Sequence, residues 1–169
     1  MTTPKQRNLT ICLTVIYLAA VIAVIMFKFP FKGAEFGSTR AIELIPFYVA
    51  EIKDISFFSG NLLYNFLFFV PLGVFVSLLK PDWKFAKKVA PIALLSLSFE
   101  VLQYILGIGV SDVTDLITNT AGGIAGIGVY AVTRKLFGDK THKVINAIAM
   151  VFVAVMIILF GLASRFTIR

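Results

Sequence analysis

Apolar residues are gathered along the chain into five runs, and most charged residues stand between them. The runs cover residues 11–27, 57–79, 89–106, about 113–133 and 144–163. Each comes close to the ~20 residues that an α-helix needs to cross a hydrocarbon core of ~30 Å. None alternates apolar and polar positions as membrane β-strands do. The pattern therefore predicts an all-α integral membrane protein, a single domain (1–169) with a bundle of about five transmembrane helices.

Composition supports a membrane protein and argues against other classes. The chain has 169 residues, of which 59% are hydrophobic and 17 are Phe, and a soluble domain of this size has too little interior to bury them. The single cysteine, Cys12, excludes an internal disulfide. The net charge of +7 comes from bases that flank the apolar runs, so we expect no nucleic-acid partner.

The distribution of basic residues predicts the orientation. Ten of the 16 Lys and Arg residues lie in the N-terminal tail, the 80–88 loop and the 134–143 segment. The positive-inside rule then places the N-terminus inside and the C-terminus outside. The first run reads better as an uncleaved signal-anchor helix than as a cleaved signal peptide.

Polar residues recur near the predicted outer ends of the second, third and fourth runs. They are Asn61, Asn65, Glu100, Gln103, Asp112, Asp115 and Asn119. At ~1.5 Å per residue, several of them lie roughly 6–10 Å below the outer boundary. On each helix they share one face, which predicts an inward-facing polar pocket.

Small residues continue the polar face of the fourth run. Gly122, Gly123 and Gly126 follow Asn119 on that face, and the spacing of Gly122 and Gly126 is typical of close helix packing. We therefore expect these glycines to lie at helix contacts.

The polar residues also have structural interpretations. Asp112 and Asp115 can cap the fourth helix, and the amides can join helices. Glu100 is harder to explain, because a carboxylate within a membrane span is costly and usually functional. Arg40, in the preceding outer loop, is a candidate partner. We expect that loop, residues 38–58, to cover part of the pocket with short amphipathic helices.

Four blocks in order resemble the VanZ-like family of bacterial integral membrane proteins. They are "RAIELIPF" (40–47), "NLLYNFLFFVPLG" (61–73), "SFEVLQ" (98–103) and "DVTDLITNTAGGIAG" (112–126). The resemblance covers about residues 40–130, and the flanking spans complete one VanZ-like domain. Many relatives carry a base shortly before the first aspartate of the last block, where this chain has "GIGVSD".

The resemblance implies a small multi-pass protein of the bacterial cytoplasmic membrane and cell envelope. The name-giving member is linked to reduced susceptibility to teicoplanin, a lipoglycopeptide, without a change in the peptidoglycan precursor. The resemblance implies no settled biochemical activity.

Three functions remain open from the sequence. In the first, the pocket binds an amphiphile, such as a lipoglycopeptide or a lipid-linked wall precursor, with membrane lipid as the surrounding partner. In the second, the protein is an enzyme in which Glu100 and Asp115 act as acid and base, or Glu100, Asp112 and Asn119 hold a divalent ion. In the third, its role is structural. The sequence has no HExxH or Gly-x-Ser-x-Gly motif. Binding is preferred, with no cofactor or metal, and the sequence sets no oligomeric state.

Overall fold

The chain is built mainly from long helices. The structure, a computed structural model, describes residues 3–27, 39–47 and 55–167. Within these ranges the helices are α1 (Pro4–Phe27), α2 (Ile55–Leu79), α3 (Phe85–Leu106), α4 (Val113–Phe137) and α5 (Thr141–Thr167). A short 3-10 turn, Gly138–Lys140, joins α4 to α5.

In the described ranges, four helical stretches are long and apolar enough to cross a membrane. They are Pro4–Ala23, Gly60–Leu79, Phe85–Leu106 and Val113–Val155. The last stretch joins α4 to the first part of α5, so it combines two of the predicted runs. Each predicted run falls inside a helix. The helices are longer than the runs because they also include polar residues at their ends. The chain is therefore a mostly helical membrane protein.

The expectation of an entirely helical fold is wrong at one end of the bundle. Strand β1 (Thr39–Glu43) pairs in parallel with β2 (Ile108–Asp112), with Thr39 opposite Ile108 and Glu43 opposite Asp112. We call this end of the bundle the sheet end. The opposite end, which contains residues 80–84 and 138–140, is called the loop end.

The strand β2 forms because α3 stops sharply at Gly107. This residue has a left-handed backbone (φ 63°), and its N–H bonds back to carbonyls of the last turn of α3. Glycine adopts this conformation without steric cost and is the usual residue after a helix end. The chain then continues as a strand rather than as a simple turn between helices.

The prediction of short amphipathic helices in the first loop is wrong for residues 39–43. Those residues form β1 instead, because the extended backbone of β2 offers a partner for their N–H and C=O groups. The neighbouring stretch 48–54 of the same loop lies outside the described residues.

Helices α2 and α4 run parallel and share the largest interface among the described elements. Their backbones touch: a Cβ built on Gly122 would lie 2.0 Å from the Phe66 carbonyl oxygen, and one on Gly126 would lie 2.0 Å from that of Val70. Gly123 faces α3 instead, where the Ile92 side chain fills the space. The small residues therefore set the distance between α4 and both neighbours.

Helix α1 packs against α2 and α5. The Tyr17 hydroxyl of α1 donates a hydrogen bond to the backbone carbonyl of Phe68 on α2. This contact lies one turn before Pro71, which is inside α2 and has no N–H to donate to the preceding turn. The carbonyl that Pro71 cannot serve is that of Leu67, four residues earlier, so the Tyr17 bond to Phe68 is an additional α1–α2 contact beside the weakened turn.

Candidate functional site

The Glu100 side chain joins the end of α3 to the start of α4. It is buried, at 6% exposure, and one carboxylate oxygen, Oε2, accepts a hydrogen bond of 2.8 Å from the Asp112 backbone N–H. The Ser111 side chain also hydrogen-bonds to this carboxyl group. Glu100 therefore binds the last residues of β2 at the point where they enter α4.

Asp112 is the N-cap residue of α4. Its Oδ1 accepts a hydrogen bond of 2.7 Å from the Thr114 N–H, the interaction that makes aspartate favourable at a helix start. Thr114 is itself buried, and its hydroxyl oxygen accepts a hydrogen bond of 3.1 Å from the Phe47 N–H. The segment after β1 is thereby attached to the first turn of α4.

A third carboxylate, Asp115, lies in the first turn of α4, where negative charge is favourable. Asp115 and Asp112 both lie close enough to Glu100 for their negative charges to repel a charged Glu100 carboxylate. Among the side chains that the structure describes, no three His, Cys, Asp or Glu groups are placed to hold a metal ion. The carboxylates instead surround the N-terminus of α4.

Deeper in the bundle, Asn119 connects α4 to α3. It is 2% exposed, and its Nδ2 donates a hydrogen bond of 2.9 Å to the Ser96 Oγ. The other amide atom, Oδ1, is buried without a hydrogen-bond partner among the described residues. An acceptor in this state usually costs about 1–3 kcal/mol, so Asn119 is suited to receive a hydrogen bond from a ligand or a water molecule.

The remaining predicted residues are placed less centrally. Gln103 is buried one turn beyond Glu100 on α3. On α2, Asn65 is half-buried and Asn61 is exposed. Arg40 lies in β1 opposite Gly109. The structure thus brings Glu100, Asp112, Asp115 and Asn119 together along the α3–α4 contact, and Asn61 stands apart at the α2 surface.

Ser111 and Thr114 of this region were not singled out from the sequence, and Ser96 was expected only on the polar face of the third run. The hydroxyl of Ser96 accepts from Asn119 and the side chain of Ser111 hydrogen-bonds to Glu100, whereas Thr114 donates its backbone N–H to Asp112. Serine and threonine are common in apolar runs, so their identity alone gives little signal. Their positions are the only indication in the sequence: Ser96 is four residues before Glu100, and Ser111 and Thr114 flank Asp112.

A second buried polar group joins α1 to α5 and was also missed. Asn146 is 1% exposed, and its Oδ1 accepts a hydrogen bond of 3.0 Å from the Thr10 hydroxyl. Its Nδ2 donates to the Gln6 backbone carbonyl at 3.2 Å. A lone asparagine in an apolar run was the available signal, but Gln6 and Thr10 precede the first predicted run. All of these contacts are between helices, which is typical of structural polar groups in membrane bundles.

The polar residues at the sheet end of the α3–α4 contact (Glu100, Asp112, Asp115 and Asn119) can bind hydrogen-bond donors. Their ligand-competent atoms are carboxylate oxygens and the amide oxygen of Asn119, and the only histidine of the chain, His142, lies at the loop end at the start of α5. Such acceptors suit hydroxyl, amide or ammonium groups of a polar head. The surrounding surface is apolar, since Ile42, Leu44, Ile45 and Phe47 are exposed beside these residues.

Comparison with known proteins gives a consistent family. The chain is 30% identical over 162 residues to Protein VanZ of Enterococcus faecium, which covers 93% of this chain and 92% of that protein. No solved structure matches the chain. The VanZ/LLP1 family model matches residues 14–134, a range that includes most of α1 and nearly all of α4. The chain therefore belongs to the VanZ/LLP1 family.

Proposed function

We propose that this protein is a cell-envelope component of the bacterial cytoplasmic membrane that binds the polar head of an amphiphile at the sheet end. The ligand is a lipoglycopeptide such as teicoplanin or a lipid-linked envelope component, and binding lowers susceptibility to the antibiotic. In this proposal five helices span the membrane, the loop end faces the cytoplasm, and the C-terminus lies outside. The whole chain, 1–169, acts as one domain.

The observation that carries the proposal is the buried polar group of α3 and α4. Glu100 and Asn119 lie in helices that are otherwise apolar enough to cross a membrane, where polar groups are usually retained for function. The buried Oδ1 of Asn119 supplies an acceptor that the described residues leave without a hydrogen bond. A donor on the ligand head would satisfy it.

The surface beside this group suits the apolar part of an amphiphile. Ile42, Leu44 and Ile45 are exposed in and after β1. Side chains of this kind at the end of a membrane bundle lie at the lipid interface, where an acyl chain can accompany them. In the proposed binding mode, the segment 39–47 moves aside to admit the head group. The contacts that would have to yield include the β1–β2 ladder and the hydrogen bond from Phe47 to Thr114 of α4.

The test compares antibiotic susceptibility with membrane abundance for Glu100→Gln, Asp115→Asn and Asn119→Ala. Glutamine keeps an oxygen that can accept from the Asp112 N–H, so Glu100→Gln retains the α3–α4 link while it removes the charge. We expect each variant to accumulate normally and to lose protection against teicoplanin. Val101→Leu is the matched control, because Val101 follows Glu100 directly and is exposed on the lipid-facing surface.

Two results would contradict the proposal. If the variants lose protection only in proportion to lost protein, the polar residues act as structural contacts between helices. If Glu100→Gln protects as well as the wild type while Glu100→Ala fails to accumulate, the carboxylate serves only to hold the start of α4. A glycopeptide without an acyl chain is the second probe, and we expect the protein to affect it less than teicoplanin.

A further inference from the structure

An apolar cavity lies toward the loop end, away from the α3–α4 polar group. It has a volume of about 220 Å³ and is bounded by α1, α2, α4 and α5. Its walls include Val74 and Phe75 of α2, Val129 of α4, and Ile148 and Phe152 of α5. We call it the α2–α5 groove. The last three side chains are also exposed at the bundle surface, so the groove opens toward the surrounding lipid.

The chemistry of the groove favours an apolar occupant. The two hydroxyls in its lining are already used, since Tyr17 donates to the Phe68 carbonyl and Thr133 donates to the Val129 carbonyl at 2.8 Å. The wall that α5 supplies runs from Ile145 to Val153, which is roughly 12 Å along the helix. A narrow apolar groove of this length suits a hydrocarbon chain.

Basic residues follow the lining of the groove along α4 toward the loop end. Thr133, in its lining, is followed directly by Arg134 and Lys135, which are exposed in the last turn of α4. Other charged residues lie at the same end and are also exposed: Lys5, Arg7, Asp139, Lys140 and Lys143. Asp82 and the lysines of the 80–88 segment also lie at the loop end, so bases outnumber the two acids, Asp82 and Asp139, at this end of the described bundle.

We propose that the α2–α5 groove holds one acyl chain of an anionic phospholipid whose phosphate is bound by Arg134 and Lys135. The apolar walls would contact the lipid tail, and the bases that follow them toward the loop end would contact the lipid head. Basic sites between transmembrane helices recognise anionic head groups in this way. This site is separate from the ligand proposed at the sheet end and does not depend on it.

Fluorescence quenching can test the site, because the chain has a single tryptophan, Trp83. In a Trp83→Phe background, Phe152→Trp places the reporter in the groove. Leu94→Trp is the matched control, since Leu94 is 62% exposed at a similar depth on α3 and does not line the groove. Each protein is reconstituted in vesicles of phosphatidylcholine or phosphatidylglycerol with brominated acyl chains, which quench tryptophan on contact.

We expect phosphatidylglycerol to compete for the groove about fivefold or more better than phosphatidylcholine, given the usual effect of one basic residue on anionic lipid binding. The reporter at Leu94 should show no preference. The Arg134→Gln/Lys135→Gln pair should abolish the preference at position 152. The Lys84→Gln/Lys87→Gln pair should leave it intact, because these exposed lysines lie at the loop end around the start of α3, which does not line the groove.

Three outcomes would overturn the proposal. Equal quenching of the groove reporter by both lipids would show that no head group is selected. A preference that survives Arg134→Gln/Lys135→Gln would place the head group elsewhere. Weak quenching by both lipids at position 152, with normal quenching at position 94, would show that a second protein molecule covers the groove. Native mass spectrometry of the purified wild type provides an independent count of retained phosphatidylglycerol.

Discussion

Replacement of Gly126 by alanine should separate α2 from α4 and destabilise the bundle. The new Cβ would lie 2.0 Å from the Val70 carbonyl oxygen, whereas real Cβ atoms essentially never come within 3.0 Å of such an atom. The two helices must therefore move apart by about 1 Å at this point. The contact is between backbones, so no side chain can rotate to relieve it. Overpacking of this kind typically costs about 1–3 kcal/mol.

The same helix provides a matched control in Gly128. A Cβ at this position would meet no atom within 4 Å, so Gly128→Ala adds a methyl group without a steric conflict. Alanine is favoured over glycine in a helix interior by about 1 kcal/mol. The two substitutions should therefore change the free energy of unfolding in opposite directions.

Thermal unfolding of the purified protein in detergent, followed by Trp83 fluorescence, measures the difference. For a chain of this size, 1 kcal/mol corresponds to roughly 2–4 °C in Tm. We expect the Tm of Gly126→Ala to fall below that of Gly128→Ala by on the order of 5–15 °C. Equal Tm values for the two variants would refute the close α2–α4 contact and the role of the glycines in setting it.

Three further predictions concern other parts of the bundle. In a Cys12→Ala background, cysteine at Ser111 should react with an impermeant thiol reagent added to intact cells and cysteine at Lys84 should not; the reverse pattern would contradict the proposed orientation. Asn146→Leu should lower the free energy of unfolding by about 1–2 kcal/mol, because it removes the α1–α5 hydrogen bonds; an unchanged unfolding midpoint in a denaturant titration would argue against them. Tyr17→Phe should cost about 1 kcal/mol in the same titration, because the hydrogen bond between the α1 hydroxyl and the Phe68 carbonyl is lost.

The sequence was sufficient to predict the helices and their packing faces. Apolar runs of about 20 residues have few stable structures in a membrane other than a helix, because every backbone group must be hydrogen-bonded within the segment. The close contact of Gly122 and Gly126 with α2 likewise follows a local rule, since small residues four apart form a flat helix surface. These features depend on the spacing of apolar and small residues along the chain and on the lipid that surrounds it.

The tertiary structure decided how the polar residues are used. The sequence placed Glu100 and Asp112 at a similar depth, but it did not show that the Glu100 carboxylate accepts the Asp112 backbone N–H. Nor did it reveal β1, whose strand character depends on a partner far along the chain. A strand is completed by hydrogen bonds to another segment, and a buried polar side chain is satisfied by whichever neighbour the fold provides. Local periodicity therefore determines the helices of this protein, whereas the β1–β2 pairing and the polar contacts of α3 and α4 depend on which segments the fold brings together.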